Sequence, residues 1–148
     1  MKMNQEMSMM DKFTNYVMLD GKKSLAKKIM DDTFEEIKNK GNKTPVSIFD
    51  KALENVMPKI EVRPKRVWGS IYQVPQEVAQ KRQIFLAAKW LIEAARSKKG
   101  ASFSKFLAIE LIEAANETGV AFKKKLEVYK MADANKAFAR FANKKRKK

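Results

Sequence analysis

A short β-prone segment, residues 61–75, interrupts a chain whose remaining pattern is almost entirely helical. Within it, apolar and polar residues alternate around Gly69, a residue type that accepts a positive φ without steric cost. Residues 68–70 are therefore compatible with a tight hairpin turn. The sequence predicts a two-stranded ribbon over about residues 59–75, with three cations crowded near its bend: Arg63, Lys65 and Arg66. Such a ribbon suits contact with folded nucleic acid better than it suits an active site.

The rest of the chain predicts six α-helices, so the expected fold is mainly α, a single domain with a protruding ribbon. We expect a short flexible stub over residues 1–9, a helical domain over 10–143 and a basic tail over 144–148. The expected helices run through Met10–Val17, from a cap at Ser24 to Gly41, from Thr44-Pro45 to Pro58, from Pro75 to Ala95, through Phe103–Ala114, and through a last stripe of Met131, Ala134, Phe138 and Phe141.

The charge of the chain indicates a polyanionic partner. Its 148 residues carry 32 Lys and Arg against 17 Asp and Glu, which gives a formal net charge of +15. A field of this sign and size in one small domain attracts nucleic acid. The cations expected to bind it fall into clusters on turns, loops and the ribbon: Lys22, Lys23, Lys27, Lys28; Arg63, Lys65, Arg66; Lys98, Lys99; and Lys123, Lys124, Lys125, which we place in a connection before the last helix.

Two absent residue types argue against catalysis. The chain has no Cys and no His, which removes thiol nucleophiles, thiolate zinc sites and the commonest acid–base group near neutral pH. The acidic residues are dispersed among lysines at helical spacing. We therefore expect no enzymatic activity, no metal, no cofactor and no small-molecule substrate. We also expect no membrane segment and no secretory signal.

The aromatic residues divide into two groups. Trp68 and Tyr72, beside the cations of the ribbon, are expected to be exposed and able to stack on unpaired bases. The others fall on apolar helical stripes and are expected in the core: Phe34, Phe49, Phe85, Trp90, Phe106 and Phe138.

Four blocks of sequence resemble a known family. They are Asp20-Gly21-Lys22-Lys23-Ser24, the run from Ala52 to Arg63, the ribbon run from Arg66 to Pro75, and Met131 to Ala139. In this order and spacing they resemble protein seven of the small ribosomal subunit, along nearly the whole chain. Three features depart from that family's usual pattern. Trp68 stands where the first of two glycines is usual, Pro64 replaces a small polar residue, and the basic N-terminal arm is cut back to a Met-rich stub. The basic tail is expected to compensate for that arm.

The resemblance implies a role in the ribosome. A member of this family would bind the 3′ major domain of small-subunit rRNA and help to nucleate assembly of the head. It would neighbour small-subunit proteins eleven and nine. Its ribbon tip would lie near the exit-site tRNA and the mRNA exit path, through Val67, Trp68, Gly69, Tyr72 and Gln73. The expected location is a bacterial ribosome in the cytoplasm or, about equally, a ribosome of the mitochondrial or plastid matrix.

Two other classes of protein remain open from the sequence. A free-standing architectural protein with a basic β-arm would explain the charge and the ribbon, although not the four blocks. A metal-dependent nuclease would need clustered carboxylates at loop ends.

Overall fold

The computed structural model describes residues 8–41 and 44–142. Within these ranges the chain forms six α-helices, a C-terminal 3₁₀ helix and one pair of strands, which confirms the mainly α fold with a ribbon. No helix in these ranges is long and apolar enough to cross a membrane. The elements are α1 (Met9–Val17), α2 (Lys23–Asn39), α3 (Pro45–Val56), β1 (Ile60–Val67), β2 (Ser70–Glu77), α4 (Gln80–Arg96), α5 (Phe103–Ala115), α6 (Val120–Ala134) and the 3₁₀ helix (Lys136–Phe141).

The core is built around α5, which packs against α2, α3 and α4. Its Leu107 and Leu111 are fully buried, as are Phe49 and Leu53 of α3. The ring of Phe13, from α1, meets that of Phe49 edge-on with 5.2 Å between centroids. Each such side chain contributes about 1.5–3 kcal/mol by leaving water. The helical body is therefore a rigid support for the segments that project from it.

The predicted core aromatics are largely confirmed. Phe49 and Trp90 are buried, and Phe34, Phe85 and Phe106 are half-buried against the core. The prediction for Phe138 is wrong, because this residue lies in the 3₁₀ helix and its ring contacts the ribbon instead.

The ribbon is an antiparallel hairpin in which Val67 pairs with Ser70 across a two-residue turn. Both turn residues have positive φ, +50° at Trp68 and +84° at Gly69. A two-residue turn of this kind matches the right-handed twist of the flanking strands. The predicted turn is confirmed. The strands extend two residues beyond the predicted end, through Pro75 to Glu77, since a sheet of two edge strands tolerates proline.

The start of α2 differs from the prediction. A turn at Asp20 and Gly21, both with positive φ, lets the helix begin at Lys23, so Ser24 lies inside it and caps nothing. The N-cap, Lys22, makes no side-chain capping bond. By contrast, the predicted entry at Thr44-Pro45 is confirmed, with Thr44 as N-cap of α3.

The C-terminal elements also differ. Gly119, with φ of +95°, is the N-cap of α6, so residues 123–125 lie in the helix and not in a connection before it. The predicted last stripe is divided, because α6 ends at Ala134 and both Phe138 and Phe141 belong to the 3₁₀ helix. Residues 1–7 of the predicted stub and all of the predicted tail lie outside the described residues.

Candidate nucleic-acid interface

The base of the ribbon is fixed to the helical body by polar contacts. The buried carboxylate of Glu61 accepts two hydrogen bonds from Arg82 of α4, from Nε at 2.8 Å and from Nη2 at 3.2 Å. The hydroxyl of Tyr129, on α6, accepts a hydrogen bond from the backbone N–H of Lys59 at 2.8 Å. Bidentate arginine–carboxylate pairs are among the stronger and more directional polar contacts in proteins. The ribbon is therefore held by two helices at its root.

A second contact holds the ribbon nearer its tip. The ring of Tyr72 on β2 lies 4.9 Å from that of Phe138 and 5.2 Å from that of Phe141. On β1, directly opposite Tyr72, Lys65 donates a hydrogen bond from Nζ to the carbonyl oxygen of Phe141 at 2.6 Å. Tyr72, Lys65, Phe138 and Phe141 together form what we call the C-terminal clamp, through which the 3₁₀ helix supports one face of the ribbon.

The three predicted ribbon cations have different environments. Lys65 belongs to the C-terminal clamp. Arg63 is half-exposed and lies 3.6 Å from the Glu61 carboxylate. Arg66 is exposed on the opposite face from Lys65 and makes no ion pair or hydrogen bond with the residues that the structure describes. Arg66 is therefore the ribbon cation best placed to meet an external anion.

The two ribbon aromatics also differ. Trp68 is 92% exposed at the turn, as predicted. Tyr72 is half-buried, so the expectation that it is exposed is wrong. Its face is occupied by Phe138 and Phe141, residues too distant in sequence for their contact with the ribbon to be predicted. Val67 is half-buried, and Gly69 and Gln73 are exposed.

Two cation clusters that are distant in sequence meet at one end of the helical body. Arg96, the last residue of α4, donates a hydrogen bond to the carbonyl oxygen of Val17 at 3.1 Å. This bond brings the turn before α2 beside the loop between α4 and α5, and both line one cleft. We call this region the turn–loop end. Its predicted cations are Lys22, Lys23, Lys27, Lys28, Lys98 and Lys99.

The lysines at the turn–loop end are not equivalent. Lys98 Nζ lies 2.7 Å from an oxygen of Glu110, whose side chain is completely buried. Lys28 pairs with Asp32 at 3.1 Å on an exposed helix face, a contact worth about 0.3–0.5 kcal/mol. The exposed side chains without an ion pair among the described residues are those of Lys22, Lys23, Lys27 and Lys99.

A similar division holds on α6. Lys125 donates a hydrogen bond to the carbonyl oxygen of Asn55 at 2.8 Å, and its ammonium lies over the rings of Phe122 and Tyr129. It therefore ties α6 to the end of α3. Its neighbours Lys123 and Lys124 are exposed.

The α6 lysines and the ribbon share the opposite end of the body. Asn55, at the end of α3, donates hydrogen bonds to the carbonyl oxygens of Ala114 and Ala115 at the end of α5, and the ribbon begins five residues later. We call this region the ribbon end. Since α5 has 13 residues, the two ends lie about 20 Å apart.

Sequence reasoning missed the residues that position the ribbon. Arg82 and Tyr129 were assigned no role, and Phe141 only a place on the apolar stripe of the last helix, although each contacts the ribbon or its root. One signal was present for the clamp, because Phe138 and Phe141 are three residues apart, a spacing that suits a 3₁₀ helix as well as an α-helix.

The chain is similar in sequence to known proteins. Residues 1–136 match the family described as Ribosomal protein S7p/S5e. Over 130 residues, the chain is 55% identical to "Small ribosomal subunit protein uS7" of Moorella thermoacetica and 52% identical to the proteins of the same name from Treponema denticola and Thermoanaerobacter sp.. Each alignment covers 88% of this chain and 83% of the relative. The C-terminal clamp thus includes residues beyond the family match, since Phe138 and Phe141 follow position 136.

Proposed function

We propose that this chain, which belongs to the ribosomal protein S7p/S5e family, binds the 3′ major domain of small-subunit rRNA and helps to nucleate assembly of the subunit head. The proposal rests on its membership of that family, as a non-enzymatic constituent of the small ribosomal subunit that binds rRNA. The observation that carries the proposal is the arrangement of exposed cations at two ends of a rigid helical body. Phosphate contacts at separated points hold a protein in one orientation on folded RNA. The match favours this role over a free-standing architectural protein or a nuclease.

The turn–loop end and the ribbon end each supply part of this RNA surface. The proposed contacts are made by the exposed members of the predicted set: Lys22, Lys23, Lys27, Lys28, Arg63, Arg66, Lys99, Lys123 and Lys124. Lys65, Lys98 and Lys125 contribute charge to the same surfaces while they hold the fold together.

The ribbon tip is proposed to lie near the exit-site tRNA and the mRNA exit path. In support, the ribbon projects from the body and its last cation, Arg66, is exposed beside Val67, Trp68 and Gly69. Proteins eleven and nine are the proposed neighbours in the subunit. A bacterial ribosome is supported by the bacterial origin of the relatives.

The experiment replaces Arg63 and Arg66 together by Gln and measures the affinity of the full chain for a transcript of the 3′ major domain. Lys65 is left intact, because its removal would also disturb the C-terminal clamp. We expect weaker binding. The slope of log K against log salt concentration should be shallower by about 1 for each phosphate that the variant no longer neutralises.

The matched control replaces two cations outside the proposed surface, Lys38 and Lys40, by Gln. It removes the same charge and should retain most of the affinity. If the two double variants bind equally well, the ribbon is not part of the RNA surface.

A further inference from the structure

The ribbon tip has a combination of features that the helical body does not explain. Trp68 is 92% exposed and has a φ of +50°, a conformation that bulky residues rarely adopt. The indole is therefore not at the tip to fill the core, and the turn would form more easily with Asn or Gly there. Backbone strain at an exposed position is a reason to look for a ligand.

The charge around Trp68 favours RNA as that ligand. Between Glu61 and Glu77 the ribbon carries three cations and no carboxylate. Arg66 is exposed and makes no ion pair or hydrogen bond with the described part of the chain. An exposed aromatic ring beside an exposed cation is an arrangement with which proteins bind single-stranded nucleic acid, the ring stacking on a base and the cation meeting a phosphate.

The rest of the ribbon is held so that the tip is presented in a defined direction. Its root is fixed by the Glu61–Arg82 pair, and its middle by the C-terminal clamp. A platform that is already ordered loses less conformational entropy when a base stacks on it.

From these observations we infer that the tip is a binding site for one unpaired base of single-stranded RNA. Trp68 stacks on that base, and Arg66 holds an adjacent phosphate. This inference rests on the proposed function and adds the ligand class and the residue that recognises it. Duplex RNA is a poor ligand for the indole, because every base except those at its ends is already stacked on both faces.

The test uses tryptophan fluorescence, since the chain has only two tryptophans and the other, Trp90, is buried. A Trp90→Phe background leaves Trp68 as the sole reporter in the full chain. We expect a single-stranded oligoribonucleotide to quench Trp68 and its duplex form not to do so. Should Trp90→Phe disturb folding, the difference between wild type and Trp68→Asn reports the same signal.

Affinity for the same oligoribonucleotide is measured for Trp68→Phe and Trp68→Asn. Asn tolerates the turn conformation but cannot stack, so Trp68→Asn should bind about 5- to 100-fold more weakly. Trp68→Phe should retain most of the affinity. Equal affinities of wild type and Trp68→Asn, or quenching by duplex alone, would overturn the inference.

Binding to the 3′ major domain transcript separates this inference from the function on which it rests. If wild type and Trp68→Asn both bind the transcript but Trp68 is never quenched, the base site is wrong and the proposed function stands. If wild type does not bind the transcript, the proposed function itself fails. A Trp68 signal that changes only when other small-subunit proteins are added would show a protein contact and reject the RNA site.

Discussion

Adjacent lysines in this chain have different roles. Lys98 reaches the buried carboxylate of Glu110, whereas Lys99 extends from the same loop into solvent. The other Glu110 oxygen, Oε1, has no hydrogen-bond partner among the described residues, so the lysine is its main source of compensation. A buried charge that is deprived of its partner destabilises a protein strongly, while an exposed lysine contributes little to stability.

The Lys98 and Lys99 substitutions should therefore separate stability from RNA binding. We expect Lys98→Met to lower the free energy of unfolding by about 3 kcal/mol, because Glu110 is left uncompensated. Lys99→Met should change it by less than about 0.5 kcal/mol and weaken binding to rRNA. Urea unfolding and affinity for the 3′ major domain transcript measure the two effects.

The double variant Lys98→Met, Glu110→Leu provides the control. It removes both charges and should recover most of the stability. If Lys98→Met is as stable as Lys99→Met, the Lys98–Glu110 ion pair does not stabilise the fold.

The sequence predicts where the cations are, but not which of them already have a partner within the fold. Lys98 and Lys99 share a basic loop, and nothing local distinguishes them. The difference depends on Glu110, twelve residues away, and on the packing that buries it. Trp68 was predictable because a turn residue beside charges has no core to enter.

At the level of elements, the ribbon and the 3₁₀ helix act as one unit. The rings of Phe138 and Phe141 lie 6.3 Å apart and both contact Tyr72. Aromatic pairs of this kind contribute about 0.5–1.5 kcal/mol beyond the area that they bury. Because these contacts join the 3₁₀ helix to the ribbon, we expect them to limit the motion of the tip.

Removal of the aromatic part of the clamp should loosen the ribbon without unfolding the body. For the Phe138→Ala, Phe141→Ala variant, made in the Trp90→Phe background, we expect lower fluorescence anisotropy of Trp68. Amide exchange in β1 and β2 should be about tenfold faster. The matched control is Met131→Ala, a half-exposed position on α6, which should change neither. Unchanged anisotropy in the clamp variant would show that the root contacts alone hold the ribbon.

The sequence predicted the elements whose signals are local. Alternation and a tight turn predicted the ribbon, and apolar periodicity predicted the first five helices. Prediction from the sequence failed where a contact between residues distant in the chain determines the local structure. The last stripe of Met131, Ala134, Phe138 and Phe141 fits one α-helix, but the chain leaves α6 after Ala134, and both phenylalanines instead contact Tyr72. The α6 lysines were misplaced because Gly119 is the N-cap of α6, so this helix has already begun before residues 123–125.

The molecule has two cationic ends, about 20 Å apart along α5, which we propose bind separate parts of one RNA domain. A single basic face would bind RNA too, but would not fix the orientation of the protein. The family resemblance implied the RNA partner. The pairing of the turn before α2 with the loop before α5 became visible only in the fold.

Hydroxyl-radical footprinting of the full chain on a 3′ major domain transcript tests whether the two ends bind separate parts of the RNA. We expect two separate protected regions in the wild-type complex. Gln at Lys22, Lys23 and Lys99 should remove one region, and Gln at Arg63 and Arg66 the other, each leaving its counterpart in place. A single protected region that weakens uniformly in both variants would show that the chain does not bind RNA at two separate ends.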